Sequence, residues 1–382
     1  MFTLLLADSA SAPPPPDALS LDPKPIAPAK VEKAMPGVSL APMPHPGWRT
    51  DTRTSLAPNG DVYVGGGGVM WHCTDRGRTW SMRELPSHLN AAGGMCVLRD
   101  GTFILVSGAP AGYGSTTRSD GVVLKDGSQN FVYRSTDSGK TWTEPVELDL
   151  APFNRGGDGW TQGYQHPDGD VMITMTLRVV GADPEDITAG IHEHIYRSTD
   201  GGKTWSDRVL LHAHGAESSL LALRDSNKML AIIRAQRFRF DSDTPELFKT
   251  FGTPPDGRIA LKNGVLAESN DGGRTWGNPR LFTGFGDVPG ELIQTPDGRI
   301  AALWLHRYPH PQGRVCVRIS EDGGATWGDT QYVLFDGNGY SSSVVFDDGA
   351  IVTVCENTPL DAGGHPAGAR SMVAALWRLP AR

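Results

Sequence analysis

Four side chains with reactive or sugar-stacking groups stand at nearly the same distance before a tight-turn signal. They are Asp51, Trp160 and Tyr340, nine residues before the turn residue, and Glu217, ten residues before it. Carboxyl groups act as general acids and bases, and a phenol is a useful nucleophile only beside a base because its pKa is about 10. An indole ring either stacks on a sugar face or fills a core. The shared register indicates that the four side chains meet at one place.

Six turn signals recur along the chain, each between two strand-like runs, and they predict six hairpins. The turn residues are Gly60, Gly101, Gly169, Asn227, Gly298 and Gly349. No stretch shows sustained helical periodicity. The sequence therefore predicts an all-β protein.

An eight-residue pattern, STDGGKTW at Ser198–Trp205, recurs with small changes. The other copies are Cys73–Trp80, Ser135–Trp142, Ser269–Trp276 and Ser320–Trp327. The aspartate suits a turn because its side chain accepts hydrogen bonds from following backbone N–H groups. The five tryptophans are 62, 63, 71 and 51 residues apart, enough for one four-stranded sheet per copy. Six hairpins and five copies predict a six-bladed β-propeller whose last blade lacks the pattern.

The blades are expected to occupy residues 46–382, after a proline-rich leader or linker over residues 1–45. A strand near residues 36–45 is expected to complete the last blade, because an open ring would leave unpaired strand edges. The leader begins MFTLLLA, which is apolar but has no preceding basic residue. We interpret it as an export remnant or an unstructured leader and expect an extracellular or periplasmic location.

Composition excludes several classes of function. The formal net charge is −8, without long runs of one sign, which argues against a nucleic-acid surface. No stretch is long and apolar enough to span a membrane. The four cysteines have no metal-binding spacing, so we expect neither a metal site nor a cofactor. Because a few arginines can outweigh the mean charge locally, an acidic ligand stays possible.

The repeated pattern resembles the Asp-box, and with it residues 45–382 resemble the sialidase superfamily of six-bladed β-propellers. The resemblance implies that the boxes hold turns at the outer rim, away from the catalytic centre. It also implies a glycan substrate that ends in an acidic sugar, with sialic acid as the first expectation. The Asp-box alone is a signal for fold rather than function.

The resemblance implies a role for each candidate site residue. Three arginines of the superfamily grip the substrate carboxylate, as a planar guanidinium does well. They correspond here to Arg49, Arg234 and Arg314, with Arg53 and Arg307 as alternatives. Tyr340 corresponds to the nucleophile and Glu217 to its base. A neutral phenol avoids the repulsion that a carboxylate nucleophile would meet from an acidic substrate.

The chain departs from the superfamily at the general acid. Sialidases carry an aspartate between the first hairpin and the first box, whereas this chain has no spare aspartate there. Asp51 is the first substitute that we consider, followed by Asp158 and then by His72 or His88. The arginine–isoleucine–proline motif expected on the first strand is also absent. Both departures bear on the retaining mechanism and on the identity of the sugar.

Two other classes of function stay open at this stage. One is another carbohydrate-active propeller, either an inverting glycosidase or a lyase for uronate polysaccharides. The other is a non-catalytic propeller that binds a glycan or a protein. The run IHEHI at 191–195 resembles a metal cluster, but on a strand Glu193 points away from His192 and His194, and we interpret it as a solvent-facing strand. Trp160 either stacks on a sugar or plugs the channel.

Overall fold

The computed structural model describes residues 25–48, 51–89, 94–108, 114–117, 123–124, 129–157, 161–179, 191–224, 226–237, 261–306, 313–359 and 367–382. These residues form 28 β-strands and no helix. Six four-stranded antiparallel sheets are the blades of a propeller, as the turn signals predicted. No helix of this part of the chain has the length and apolarity needed to cross a membrane.

The N-terminal strands join the last two blades, and the next three blades follow in chain order. The N-terminal strands are β1 (Val31–Ala34) and β2 (Ser39–Met43). Blade one contains β3 (Arg53–Leu56), β4 (Val62–Gly66), β5 (Val69–Cys73) and β6 (Ser81–Glu84). Blade two contains β7 (Gly94–Val97), β8 (Phe103–Gly108), the small hairpin β9 (Thr116–Thr117) and β10 (Val123–Leu124), then β11 (Asn130–Ser135) and β12 (Val146–Glu147). Blade three contains β13 (Arg155–Gly156), β14 (Gly163–Gln165), β15 (Val171–Arg178), β16 (His192–Ser198) and β17 (Ser206–Ala213).

The remaining blades repeat the arrangement. Blade four contains β18 (Gly215–Ala222), β19 (Met229–Arg237), β20 (Leu261–Ser269) and β21 (Gly277–Leu281). Blade five contains β22 (Gly290–Gln294), β23 (Ile300–His306), β24 (Arg314–Ser320) and β25 (Thr330–Asp336). Blade six contains β26 (Ser342–Val345), β27 (Ile351–Glu356) and β28 (Met372–Trp377).

The innermost strand is the first one of each blade except in blade three, where it is β14, after the short β13. Residues of β3, β7, β14, β18, β22 and β26, with a few of their neighbours, line a central channel with a volume of about 320 Å³. Each of these strands runs into one of the six turns identified in the sequence. The residues that begin them therefore lie together at the opposite end of the channel.

Six apolar clusters fill the six junctions between blades. Successive side chains of a strand point to opposite faces, so one strand supplies two junctions. On β19, for example, Leu230 and Ile232 pack toward blade five, whereas Ala231 and Ile233 pack toward blade three. Each blade is thus apolar on both faces, and the core is a ring of separate layers.

The ring closes through the N-terminal strands. β2 pairs antiparallel with β28, with Ser39 opposite Leu376, and supplies the outermost strand of blade six. β1 pairs in parallel with β25 and adds a fifth strand to blade five, which the sequence did not predict. Among the described residues, the first strand that joins the propeller is therefore β1, which precedes the closing strand expected near residues 36–45.

The five repeated turns share one set of hydrogen bonds, and each connects the third strand of its blade, counted from the channel, to the fourth. In the second copy, Asp137 accepts from the backbone N–H groups of Lys140 and Thr141 and from the Thr141 hydroxyl at 2.7 Å. The first residue of the pattern accepts from the following glycine: Ser135 from Gly139 at 2.8 Å, and the sulfur of Cys73 from Gly77 at 2.9 Å. Cysteine therefore replaces serine in the first copy without loss of the bond.

We expect Gly77→Ala to destabilise the protein more than Gly60→Ala does. Both glycines have a positive φ, +90° and +87°, so alanine costs about 1–2 kcal/mol of strain at either position. A Cβ at Gly77 would also lie 2.7 Å from Cγ2 of Val352 in blade six, whereas a Cβ at Gly60 meets nothing within 4 Å. This overpacking should increase the destabilisation by Gly77→Ala by about a further 1–3 kcal/mol. Denaturant unfolding of both variants checks this prediction. Equal losses in the free energy of unfolding would contradict the close contact between Gly77 and Val352.

The box aspartates should make the fold sensitive to acid. Hydrogen bonds from Thr141 hold the pKa of Asp137 far below its usual value of 3.8. Such a group contributes stability above the unfolded pKa, and this contribution is lost as the pH falls through the folded pKa. At pH values below about 4, we expect the melting temperature to decrease as the pH is lowered. This decrease should be less steep in Asp137→Asn than in the wild type. Melting curves at several pH values, with Glu84→Gln as control, provide the test, and parallel curves for Asp137→Asn and wild type would refute it.

Candidate active site

Three side chains from blades four and six meet at the end of the channel opposite the repeated turns. Tyr340 lies two residues before β26, and Glu217 lies near the start of β18. Arg234 lies near the end of β19, where it is adjacent to Glu217 because Ala216 pairs with Arg234. The Tyr340 hydroxyl donates to Glu217 Oε1 at 2.7 Å. Arg234 Nη1 donates to Glu217 Oε2 at 2.5 Å and lies 3.4 Å from the Tyr340 hydroxyl oxygen. The phenol thus has a carboxylate and a guanidinium as direct partners.

Glu217 has an unusual backbone conformation. Its φ is +49°, a left-handed value that costs a non-glycine residue of the order of 1–2 kcal/mol. The pairing of β18 with β19 is interrupted between Ala216 and Ser219, so Glu217 and Ser218 form a bulge. Such bulges redirect side chains near functional sites. Here the residue at the bulge, Glu217, is the one whose carboxylate contacts Tyr340.

Arg234 is mostly buried and strongly held. Burial lowers its pKa, but the Glu217 carboxylate and Tyr340 outweigh burial, and the net effect raises the pKa of Arg234. Nη2 donates to Gln236 Oε1 at 2.5 Å, two residues further along the same face of β19. Among the described residues, its buried Nε–H has no acceptor.

Asp51 lies at the same end of the channel. It stands two residues before β3, and the neighbouring Thr52 hydroxyl donates to the backbone carbonyl of Tyr340 at 3.2 Å. The first strands of blades six and one are therefore in contact at the level of Tyr340. Asp51 is half-buried, which is compatible with access to a ligand.

Arg314 lies elsewhere. Its Nη1 is 3.2 Å from Glu32 Oε1 on β1, and its Nε is 3.9 Å from Asp336 Oδ1. Both partners belong to the outer strands of blade five, so the side chain points away from the channel axis. The structure does not bring Arg314 to Tyr340 and Glu217.

Arg53 lies beneath the site rather than at its surface. Only 2% of it is exposed, and its guanidinium donates to the backbone carbonyls of Thr161 and Ser218, both at 3.0 Å. Burial lowers the pKa of Arg53 to about 9, with Glu291 and Glu193 opposing the shift. The observed contacts are with the backbone that surrounds the channel.

Several other candidates fall outside the described residues or outside the site. Arg49, Arg307, Asp158 and Trp160 are not among the described residues. His72 contacts Asp61 at 2.9 Å, next to the Gly60 turn, and so lies near the opposite end of the channel. His88 packs near the ring of Tyr133 in blade two.

The interpretation of 191–195 as a solvent-facing strand is wrong. His192 and His194 do share a face, with ring centroids 6.2 Å apart, but β16 packs within blade three and Glu193 is only 1% exposed. Burial lowers the pKa of His194 to about 3. Within the described ranges, no group of three or more histidine, cysteine or acidic residues has the arrangement of a metal site.

Comparisons with known proteins agree with this architecture. The family model of the BNR/Asp-box repeat matches residues 196–207. A sialidase from Bacteroides fragilis is 24% identical over 311 residues; the match covers 75% of this chain but 53% of that protein, so the chain spans about half the length of this curated relative. The protein is a sialidase-like β-propeller.

Solved structures show the same fold with two kinds of sugar specificity. A sialidase from Trypanosoma rangeli, in complex with sialic acid, superposes with a TM-score of 0.53 at 14% identity, over 91% of this chain and 60% of that one. A variant of the α-L-arabinofuranosidase from Fusarium graminearum, in complex with an iminosugar inhibitor, gives a TM-score of 0.60 at 14% identity, over 89% and 97% of the two chains. At these identities the likeness shows the fold alone.

Sequence reasoning missed several polar side chains around the site. Gln236 orients Arg234, and its position two residues along a strand could have identified it. Glu193 and Glu291 are buried carboxyl groups beside Arg53, and burial raises the pKa of each to about 7. No motif in the sequence marks Glu291, which accepts from the backbone N–H of Ser343 at 2.8 Å.

Proposed function

We propose that this sialidase-like propeller is a glycoside hydrolase that releases a terminal acidic sugar, preferably sialic acid, from glycans. The observation that supports it best is the contact of the Tyr340 phenol with the Glu217 carboxylate under the Arg234 guanidinium. A phenol with a pKa of about 10 needs such a base to become a nucleophile. Arg234 places a positive charge beside the phenol, and this charge would attract a substrate carboxylate.

The reaction would proceed in two steps. First, the Tyr340 oxygen bonds to the anomeric carbon while its proton passes to Glu217, and the leaving oxygen departs with a proton from an acid, for which Asp51 is the candidate. Water then breaks the tyrosyl bond and gives its hydroxyl to the sugar and its proton to Asp51. The proton on Glu217 returns to Tyr340, which restores the resting site.

The arginine clamp is assigned in part to residues outside the described ranges. Arg234 is its central member in this proposal, and Arg49, just before Asp51, is the predicted second. Arg314 would have to leave Glu32 to take part. We therefore propose a clamp of Arg234 and Arg49, with Trp160 as the stacking surface for the sugar ring.

A neutral sugar is the second candidate substrate. Arg53 is buried beneath the site, and Arg314 is paired with Glu32. Of the candidate arginines among the described residues, only Arg234 therefore lies at Tyr340, and this favours a substrate without a carboxylate. The arabinofuranosidase with the same fold makes an arabinofuranoside the neutral substrate to test. A uronate polymer, as substrate of a lyase or an inverting glycosidase, is the other acidic alternative.

One comparison of substrates separates these proposals. The purified protein is incubated with fluorogenic sialoside, α-L-arabinofuranoside and uronate polymers at equal concentration. Faster turnover of the sialoside supports the acidic-sugar proposal, and faster turnover of the arabinofuranoside replaces it with the neutral one. Glycan binding on an array without turnover of any substrate would overturn both and support a non-catalytic lectin-like role.

A further inference from the structure

The bulge that carries Glu217 is held by side chains rather than by the neighbouring strand. The backbone N–H of Ser218 donates to Glu193 Oε1 at 3.2 Å, and the carbonyl of Ser218 accepts from Arg53 at 3.0 Å. The backbone N–H of Glu217 lies 3.4 Å from the Thr176 hydroxyl oxygen. A strained bulge persists when its surroundings determine it in this way.

Glu193 accepts the hydrogen bond of the Ser218 N–H directly and is linked to the Glu217 N–H through Thr176. Its Oε1 also accepts from the Ser218 hydroxyl at 2.5 Å, and its Oε2 accepts from the Thr176 hydroxyl at 2.8 Å. Because Thr176 has one hydroxyl proton, which it gives to Glu193, its oxygen is left to accept from Glu217 N–H. The hydrogen bonds thus run in one direction, from the backbone of the bulge to a single carboxylate on β16.

We propose that Glu193 is a positioning residue, which holds the Glu217–Ser218 bulge so that the Glu217 carboxylate meets the Tyr340 hydroxyl. Its catalytic consequence rests on the proposed function, but its structural part does not. Glu193 contacts neither the phenol nor the anomeric carbon in this scheme. It acts through the backbone of blade four from the neighbouring blade three.

Three variants test this role. Glu193→Leu removes the acceptor, and Thr176→Val removes the link between Glu193 and Glu217 N–H with little change in volume. Glu193→Gln keeps both contacts, because its Oε1 accepts from Ser218 and its amide can donate to Thr176. Glu291→Leu is the matched control, since Glu291 is also buried beside Arg53 and has a similarly raised pKa but bonds to Ser342 and Ser343.

The first measurement does not depend on turnover. The phenol of Tyr340 is titrated by ultraviolet difference spectroscopy, each protein being compared with its own Tyr340→Phe version. Among the described residues, the charged groups in contact with that phenol are Glu217, which opposes its ionisation, and Arg234, which favours it. We expect the midpoint in Glu193→Leu and Thr176→Val to fall toward that of Glu217→Gln, while Glu193→Gln and Glu291→Leu titrate like wild type. A wild-type titration in folded Glu193→Leu and Thr176→Val would overturn the proposal.

The second measurement is kinetic. With a substrate that the wild type turns over, kcat should fall about 10²-fold in Glu193→Leu with little change in KM, and Glu193→Gln should restore it. An equal fall in Glu291→Leu would show a general effect of the buried charge and would overturn the assignment. Absence of turnover in the wild type would refute the proposed function, and the phenol titration would still decide the role of Glu193.

Discussion

Tyr340→Phe is expected to reduce kcat for the sialoside by at least about 10³-fold, because it removes the phenol oxygen that attacks the anomeric carbon in the proposed mechanism. The substitution keeps the aromatic ring of Tyr340, a residue that is only 5% exposed, and removes the hydroxyl that donates to Glu217. The free energy of unfolding should therefore change by only about 1 kcal/mol. Initial rates and thermal melts of the variant check both parts.

Tyr332→Phe provides the matched control. Tyr332 is a partly buried tyrosine on β25, in the apolar layer between blades five and six. Its loss of a hydroxyl should leave kcat unchanged. Turnover by Tyr340→Phe at the rate of this control would remove Tyr340 from the mechanism.

Glu217→Gln should reduce kcat by about 10²–10⁴-fold, because the amide cannot take the proton of Tyr340. Arg234, which is only 14% exposed in its side chain, loses the negative charge at 2.5 Å. The amide oxygen can still accept a hydrogen bond from it, so the free energy of unfolding should fall by about 1–3 kcal/mol. Rates under saturating substrate and denaturant unfolding measure the two effects.

Glu268→Gln is the control for this prediction. Glu268 lies on β20 of the same blade and also pairs with an arginine, Arg280, at 3.1 Å. Its replacement should affect stability slightly and leave kcat unchanged. If both variants lost activity equally, the effect would come from blade four as a whole and not from a base at Tyr340.

The blades could be predicted from sequence because their signals are local. Each turn glycine and each repeated box depends on hydrogen bonds within a few residues, and the apolar alternation of each strand follows from its pleat. The register argument also located Glu217 and Tyr340 at one end of the channel, since every first strand begins at the same level. Their contact, from residues 123 positions apart, then follows from the closed ring.

The errors and omissions have a physical cause, which is that side chains on these blades are buried or paired through contacts with distant parts of the chain. Glu193 was expected on an exposed strand, but both faces of a propeller blade are buried against neighbours, so an alternating polar residue becomes part of an internal network. The direction of Arg314 depends on Glu32, on a strand that the local pattern did not reveal. The burial of Arg53 likewise depends on Thr161 and Ser218, carbonyls from other blades.

The most direct test of the central claim is the identity of the residue that becomes bonded to the sugar. The protein is incubated with a fluorosialoside that has fluorine beside the anomeric carbon and fluoride as leaving group, which slows hydrolysis of a glycosyl–enzyme intermediate because its transition state resembles an oxocarbenium ion. Peptide mass spectrometry should then find the fluorosialyl group on Tyr340, and no adduct in Tyr340→Phe. An adduct on a different residue, or sustained sialoside turnover by Tyr340→Phe, would contradict the account.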